Sequence, residues 1–170
     1  MTVHTLYADA NVGQRAMRRF AASRAGAWLF ARILPHLDRR VFRLTRGRHT
    51  LASAVSGLPI VMLTTTGRRT GRPRTVPVLG MPAAGGVAVV AGNFGGHPHP
   101  GWYYNLRADP IATVSIGATT QHVRAVEATG ERRAQLIRDG MRIYPGWPQY
   151  ERRAAHRRIA VFVLEPLAEA

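Results

Sequence analysis

The chain has 170 residues, 46% of them hydrophobic, which is enough for one buried core and a single appended segment. It contains no cysteine, so disulfides, thiolate metal sites and redox chemistry on protein sulfur are excluded, and any redox role must come from a cofactor. The net charge of +15 is carried by arginine alone, without one lysine, and points to an anionic partner: nucleic acid, lipid headgroups or an acidic cofactor.

Residues 1–50 are rich in Arg, Ala and large apolar side chains. Trp28, Leu29, Ile33, Leu34, Leu37, Val41, Phe42 and Leu44 recur at spacings of three and four, with Arg32, Arg39, Arg40, Arg43, Arg46 and Arg48 between them. The segment is expected to be a basic amphipathic helical unit that either covers the core or lies on an anionic membrane surface. No window holds the ~18 apolar residues of a membrane span, and no secretory signal opens the chain, so a cytoplasmic protein is expected, with peripheral contact on the inner face of the cell membrane as the variant.

From residue 51 onward a single domain is expected. Short apolar runs separated by turn residues predict strands at Pro59–Thr66, Arg74–Pro82, Gly86–Ala91, Ala112–Ile116, Thr120–Ala128 and Ile159–Leu164. Ala83-Ala84-Gly85-Gly86 and Gly117-Ala118 read as hairpin turns. Helices are predicted over Gly101–Arg107, over Glu131–Tyr144 with Thr129 as its cap, and over Pro148–His156. Six strands joined by hairpins, with helices between the later pairs, predict an antiparallel barrel of the α+β class.

Three stretches concentrate chemistry. In Thr64-Thr65-Thr66-Gly67-Arg68-Arg69-Thr70-Gly71-Arg72-Pro73-Arg74, glycines allow close backbone approach while hydroxyls, amides and guanidinium forks suit phosphate or carboxylate. It lacks the lysine and the glycine spacing of the common nucleotide loops. In Ala91-Gly92-Asn93-Phe94-Gly95-Gly96-His97-Pro98-His99-Pro100-Gly101-Trp102-Tyr103-Tyr104-Asn105, a glycine-rich loop enters an aromatic helix, a surface suited to a planar heterocycle; the alternative is that Trp102 and Leu106 form a buried stripe. Tyr144, Trp147 and Tyr150 recur every three residues, as an aromatic lid or as a packed helix face. His97 and His99 stand two apart among prolines without a third ligand at metal spacing, and no carboxylate pair marks hydrolysis, so neither a metal centre nor a hydrolytic site is expected.

Together, Thr65-Thr66-Gly67-Arg68 through Arg74, Pro100-Gly101-Trp102-Tyr103-Tyr104-Asn105-Leu106-Arg107-Ala108-Asp109-Pro110, and Tyr144-Pro145 with Tyr150 and the closing apolar strand resemble the deazaflavin-dependent nitroreductase family of actinobacteria, over residues 58–166. The resemblance implies a split β-barrel related to the pyridoxamine-phosphate oxidases. It also implies that coenzyme F420, with FMN as the lesser alternative, lies in a groove with its acidic tail over the arginine turn. The implied cofactor contacts are Arg68, Arg69, Thr70, Arg74, Thr75, Val76, Pro77, Val78, Leu79, Ala91, Gly92, Asn93, Phe94, Gly101, Trp102, Tyr103, Tyr104 and Asn105. Leu79, Tyr144, Trp147 and Tyr150 are implied to wall the substrate side, with Asn93, Tyr144 and Tyr150 as the candidate catalytic groups.

The resemblance implies hydride transfer from the reduced deazaflavin to a quinone-like or nitroaromatic acceptor, and split barrels are often homodimers. The chain departs from the best-known member of the family at Leu79 and Trp147, which replace tyrosines, at Asn93, which replaces a serine, and at Phe94, which replaces a lysine. Cofactor binding should survive these changes, whereas acceptor choice should shift. The rival functions are a cofactor carrier without turnover, and a nucleic-acid-binding module using the positive charge and stacked aromatics; the second would show steep salt dependence and no deazaflavin preference.

Overall fold

A computed structural model describes residues 10–23, 25, 26, 28, 29, 41, 57–117, 119–144 and 146–167. Most of the expected N-terminal amphipathic stretch, including Ile33, Leu34, Leu37, Phe42 and Leu44, lies outside the described residues, as do Ala118 and Pro145. What is described of that region is helix α1 (Val12–Ala22), opened by a capping box in which the Asn11 side chain and Gln14 bond each other's backbone amides. Among the described residues no helix is long and apolar enough to cross a membrane.

Six strands follow: β1 (Ile60–Thr66), β2 (Pro73–Ala83), β3 (Gly86–Val90), β4 (Ile111–Ile116), β5 (Thr119–Ala128) and β6 (Val161–Pro166). All pairings are antiparallel, and the order β1-β2-β3-β6-β5-β4 closes on itself as a barrel. The helices are α2 (Gly101–Ala108), α3 (Gly130–Ile143) and α4 (Trp147–Arg153), so the molecule is an α+β barrel as expected. The fourth and fifth strands start one residue earlier than predicted, and β2 is longer at both ends. The last strand starts two residues later, because Ile159 packs beside Tyr150 and its carbonyl accepts from the Arg133 side chain at 3.0 Å. Thr129 occupies the cap position of α3 but its hydroxyl makes no capping bond, contrary to the expectation.

The barrel interior explains the strand pattern. Val61 and Leu63 from β1, Val114 from β4, Val123 and Ala125 from β5 and Phe162 and Leu164 from β6 fill it, and Trp102 and Leu106 of α2 join the same cluster. Residues of β6 are buried on both faces, since Val161 and Val163 point outward onto Leu136, Ile137 and Ile143 of α3. That is why β6 reads as a continuous apolar run; each such side chain removed from water contributes about 1.5–3 kcal/mol.

Strand β2 changes partner along its length. Residues Pro73 to Leu79 pair with β1, and Gly80 to Ala83 pair with β3. The bend at Gly80 has no room for a side chain, since a Cβ there would lie 2.7 Å from the Val61 side chain. Among the described residues, Pro73–Leu79 therefore carries a strand on one edge only, which also makes room for Pro77.

Candidate functional site

The turn between β1 and β2 is held from within. Gly67 N donates to Arg72 O at 2.9 Å, Gly71 N donates to Gly67 O at 2.7 Å, and Gly71 adopts φ +64°, in the region that favours glycine. A Cβ on Gly67 would approach Arg72 O to 2.9 Å, so glycine is needed there for space. The turn is anchored to the barrel through Asn105 on α2. The buried Asn105 Nδ2 donates to Thr65 Oγ1 at 2.9 Å, and its Oδ1 accepts from the Arg68 amide at 3.1 Å. One side chain thereby ties the end of β1, the turn and α2 together.

On this base Arg68, Arg69, Thr70, Arg72 and Arg74 are all exposed. The ion pairs among the described residues use Arg107, Arg132, Arg133, Arg138 and Arg158 instead, so no carboxylate neutralises the four arginines of the turn. Arg68 lies over the ring of Tyr104, 4.8 Å from its centroid. Next to the turn runs the single-sided edge of β2, with Thr75, Val76, Pro77, Val78 and Leu79 all half-buried and Thr75 Oγ1 bonded to Thr64 Oγ1 at 2.9 Å.

The glycine-rich loop leaves β3 at Ala91 and makes a short 3-10 turn over Asn93–Gly95. Asn93 and Phe94 adopt φ +46° and +53°, left-handed backbone that residues with a Cβ rarely take. The Asn93 Nδ2 donates to Pro98 O at 3.0 Å, bracing the loop. Beneath it lies α4, so close that a Cβ on Gly92 would stand 3.1 Å from the Trp147 ring.

The structure assigns different tasks to the aromatic residues that the sequence grouped together. Trp102 is buried, edge-on to Phe162 at 6.1 Å, and belongs to the barrel core, as does Leu106, so the buried-stripe alternative applies to both. Tyr103 and Tyr104 are half-buried. The His99 ring stacks on Tyr103 at 3.9 Å, while His97 stacks on His156, so the two histidines face different partners. Tyr144, Trp147 and Tyr150 are brought together, but as a buried cluster with Ala22, Ala154 and Ile159, against which Leu79 and Phe94 pack. The two phenols bond each other at 2.9 Å, and Tyr150 Oη also donates to Ala21 O of α1 at 3.3 Å. Burial raises the pKa of both above the ordinary 10.0, more so for Tyr150, which additionally faces Tyr144.

One residue at this site had no signal in the sequence. Arg157, one of a run of arginines after α4, sends its guanidinium into the 91–99 loop, where it bonds Ala91 O, Gly92 O and Gly96 O. Nothing in its local sequence separates it from Arg152 or Arg158, which are exposed.

The fold agrees with what the chain is similar to. The sequence model of the family described as F420H(2)-dependent quinone reductase matches residues 37–166. An F420H(2)-dependent quinone reductase of Mycobacterium tuberculosis is 34% identical over 86 residues, which is 49% of this chain and 56% of that protein, so the chain spans about half the length of this curated relative. A solved F420-H2 dependent reductase is 35% identical and superposes with a TM-score of 0.58 over 63% of this chain and 94% of the other. A solved chain described as a domain-swapped dimer is 33% identical, with a TM-score of 0.59 over 75% of this chain and 92% of the other. With the family model covering all six strands of the barrel, the chain belongs to the F420H(2)-dependent quinone reductase family.

Proposed function

We propose that the protein is an F420-dependent oxidoreductase that reduces a quinone-like, planar hydrophobic acceptor. The observation that carries this reading is the arginine turn: four exposed guanidinium groups without a carboxylate partner among the described residues, on a backbone that Asn105 anchors to the barrel. Such a turn suits a phosphate followed by a string of carboxylates, the donor set that F420 requires and that FMN, lacking the glutamate tail, would use only in part.

Arg68, Arg69, Arg72 and Arg74, with Thr70, would hold the acidic tail. The single-sided edge at Thr75–Leu79, the backbone of Ala91–Phe94, and Gly101 with Tyr104 would line the remainder of the cofactor. Trp102 and Asn105 act from underneath, one as barrel core and the other as the anchor of the turn. When bound, reduced F420 supplies a hydride to the acceptor. The chain's part is to orient the two reactants, exclude water and hold a proton for the acceptor oxygen. Asn93 is a neutral amide and orients without transferring a proton. Burial raises the pKa of Tyr144 and Tyr150, so both keep their protons at working pH and would hold a proton toward an acceptor oxygen as neutral hydrogen-bond donors without releasing it. A second copy of the chain as partner is consistent with the similarity to a domain-swapped dimer.

An anaerobic titration with F420, FMN and NADPH side by side, followed by turnover of reduced F420 with a quinone, tests the reading. F420 should bind most tightly and be oxidised by the quinone. Preference for FMN or NADPH would overturn the cofactor assignment, and binding without turnover would make the protein a carrier.

A further inference from the structure

Every donor direction of Arg157 is committed to one short segment. Its Nη2 donates to Gly92 O and to Gly96 O, both at 3.0 Å. Its Nη1 reaches Ala91 O and His99 Nδ1, both at 3.2 Å, and its Nε reaches Gly96 O at 3.3 Å. The guanidinium therefore bridges the start of the loop to its end, across Asn93 and Phe94, the only two non-glycine residues with positive φ among those described. Left-handed backbone at residues with a Cβ persists only where the surroundings impose it, and the planar fork of Arg157 bonds the carbonyls on both sides of these two residues. The bracing extends further, because the His99 ring stacks on Tyr103 at 3.9 Å with 14° between planes, coupling the loop to α2.

We infer that Arg157 is the positioning residue that sets the shape of the 91–96 loop for cofactor binding, with neutral His99 as its partner. This rests on the F420 reading of the same groove. Arg157 has no acceptor atom, so its bond to His99 requires a lone pair on Nδ1 and places the imidazole proton on Nε2. The groups facing His99 are Arg157 and His156, which oppose its protonation, Glu127, which favours it, and the uncharged rings of Tyr103 and Tyr104. Burial and Arg157 together hold its pKa below the usual 6.5. Protonation of His99 removes the acceptor and sets a second cation against the guanidinium, so the clamp weakens as pH falls through that depressed value. A lysine at 157 would keep the charge but satisfy only part of the loop, as a point charge on a flexible stem.

Amide hydrogen exchange of the cofactor-free protein and F420 titration, applied to wild type, R157K, R157Q and H99F, test the clamp. R157Q should speed exchange at residues 93–96 while β1 and β6 stay protected, and should raise the F420 Kd about tenfold, the scale of one lost hydrogen bond to a charged group. R157K should fall between the two. H99F, which keeps an aromatic ring on Tyr103, should have a smaller effect and abolish the acid-side weakening of loop protection. If R157Q does not fold, R157K and H99F decide. Wild-type exchange and affinity in the variants overturn the inference, as does protection lost equally across β1 and β6, which would mark a general structural role. A wild type that fails to bind F420 overturns the cofactor reading instead, and the exchange data still judge the clamp.

Discussion

The arginine turn and the cluster of Tyr144, Trp147 and Tyr150 hold their polar groups in opposite conditions. In the turn, Arg69, Arg72 and Arg74 are exposed and the Arg68 guanidinium lies over the Tyr104 ring, so among the described residues none of these charges has a carboxylate partner. In the cluster the two hydroxyls already bond each other and Ala21, and the rings pack edge-to-face at 5.7 to 5.8 Å, so the phenols have found internal partners, while the buried Trp147 indole N–H has none among the described residues. Composition alone would rank both as ligand sites. Exposed groups without partners contribute little to folding and much to binding, while buried and satisfied groups do the reverse.

Substitutions can break this contrast, and the largest effect is expected in the cluster. Trp147→Ala should lower unfolding free energy by about 3–5 kcal/mol, the usual loss for truncating a buried tryptophan, with activity toward different acceptors falling together. Denaturant melts and a panel of quinones would check it; a loss confined to one acceptor at unchanged stability would restore Trp147 as a substrate wall.

Arg68→Ala with Arg74→Ala should do the opposite, leaving stability nearly unchanged while weakening F420 by about 1.5–3 kcal/mol for each charge-assisted bond lost. The loss should be greatest for forms with long glutamate tails, as titration of short- and long-tailed cofactor would reveal; equal affinity for both would place the tail elsewhere.

Asn105→Ala joins the two categories, since it strands Thr65 in the barrel and releases the Arg68 amide. It should cost about 1–3 kcal/mol of stability and also reduce F420 affinity. Loss of stability alone would mean that the turn keeps its shape without the anchor. Gly71→Ala has a smaller effect: nothing lies within 4 Å of the added methyl, so only the strain of φ +64° remains, roughly 1–2 kcal/mol.

The pH dependence sharpens the same comparison. Tyr144 and Tyr150 have pKa values raised in the folded state, so their contribution is complete below pH 10.0, where unfolded tyrosine begins to ionise, and declines as pH rises beyond it. Thermal melts between pH 8 and 11 should show this decline in wild type and lessen it in Tyr150→Phe.

Much of the fold was legible because its signals are local. Alternating apolar residues and the Gly-rich turns marked six strands within a few residues of their true ends, the apolar run Val161-Phe162-Val163-Leu164 among them as the closing strand. The arginine turn was legible for the same reason, since Gly67, Gly71 and the surrounding arginines are neighbours in the chain. Trp102 and Asn105 stood among the cofactor contacts through the family resemblance; the four-residue spacing of Trp102 and Leu106 already offered the buried stripe that packs on Phe162, whereas nothing local ties Asn105 to Thr65. Arg157 was missed because its partners lie some 60 residues away.

The amino-acid sequence by itself determined the strand set, the all-arginine charge, the absence of thiol chemistry and a Gly/Arg-rich turn after the first strand, all properties of residue type and short-range spacing. Only the tertiary structure decided that β3 meets β6 and β1 meets β4 to close the barrel, that the aromatic cluster packs under α1, and that Arg157 clamps the loop. Those outcomes depend on which distant segments exclude water together, and no local pattern encodes that pairing.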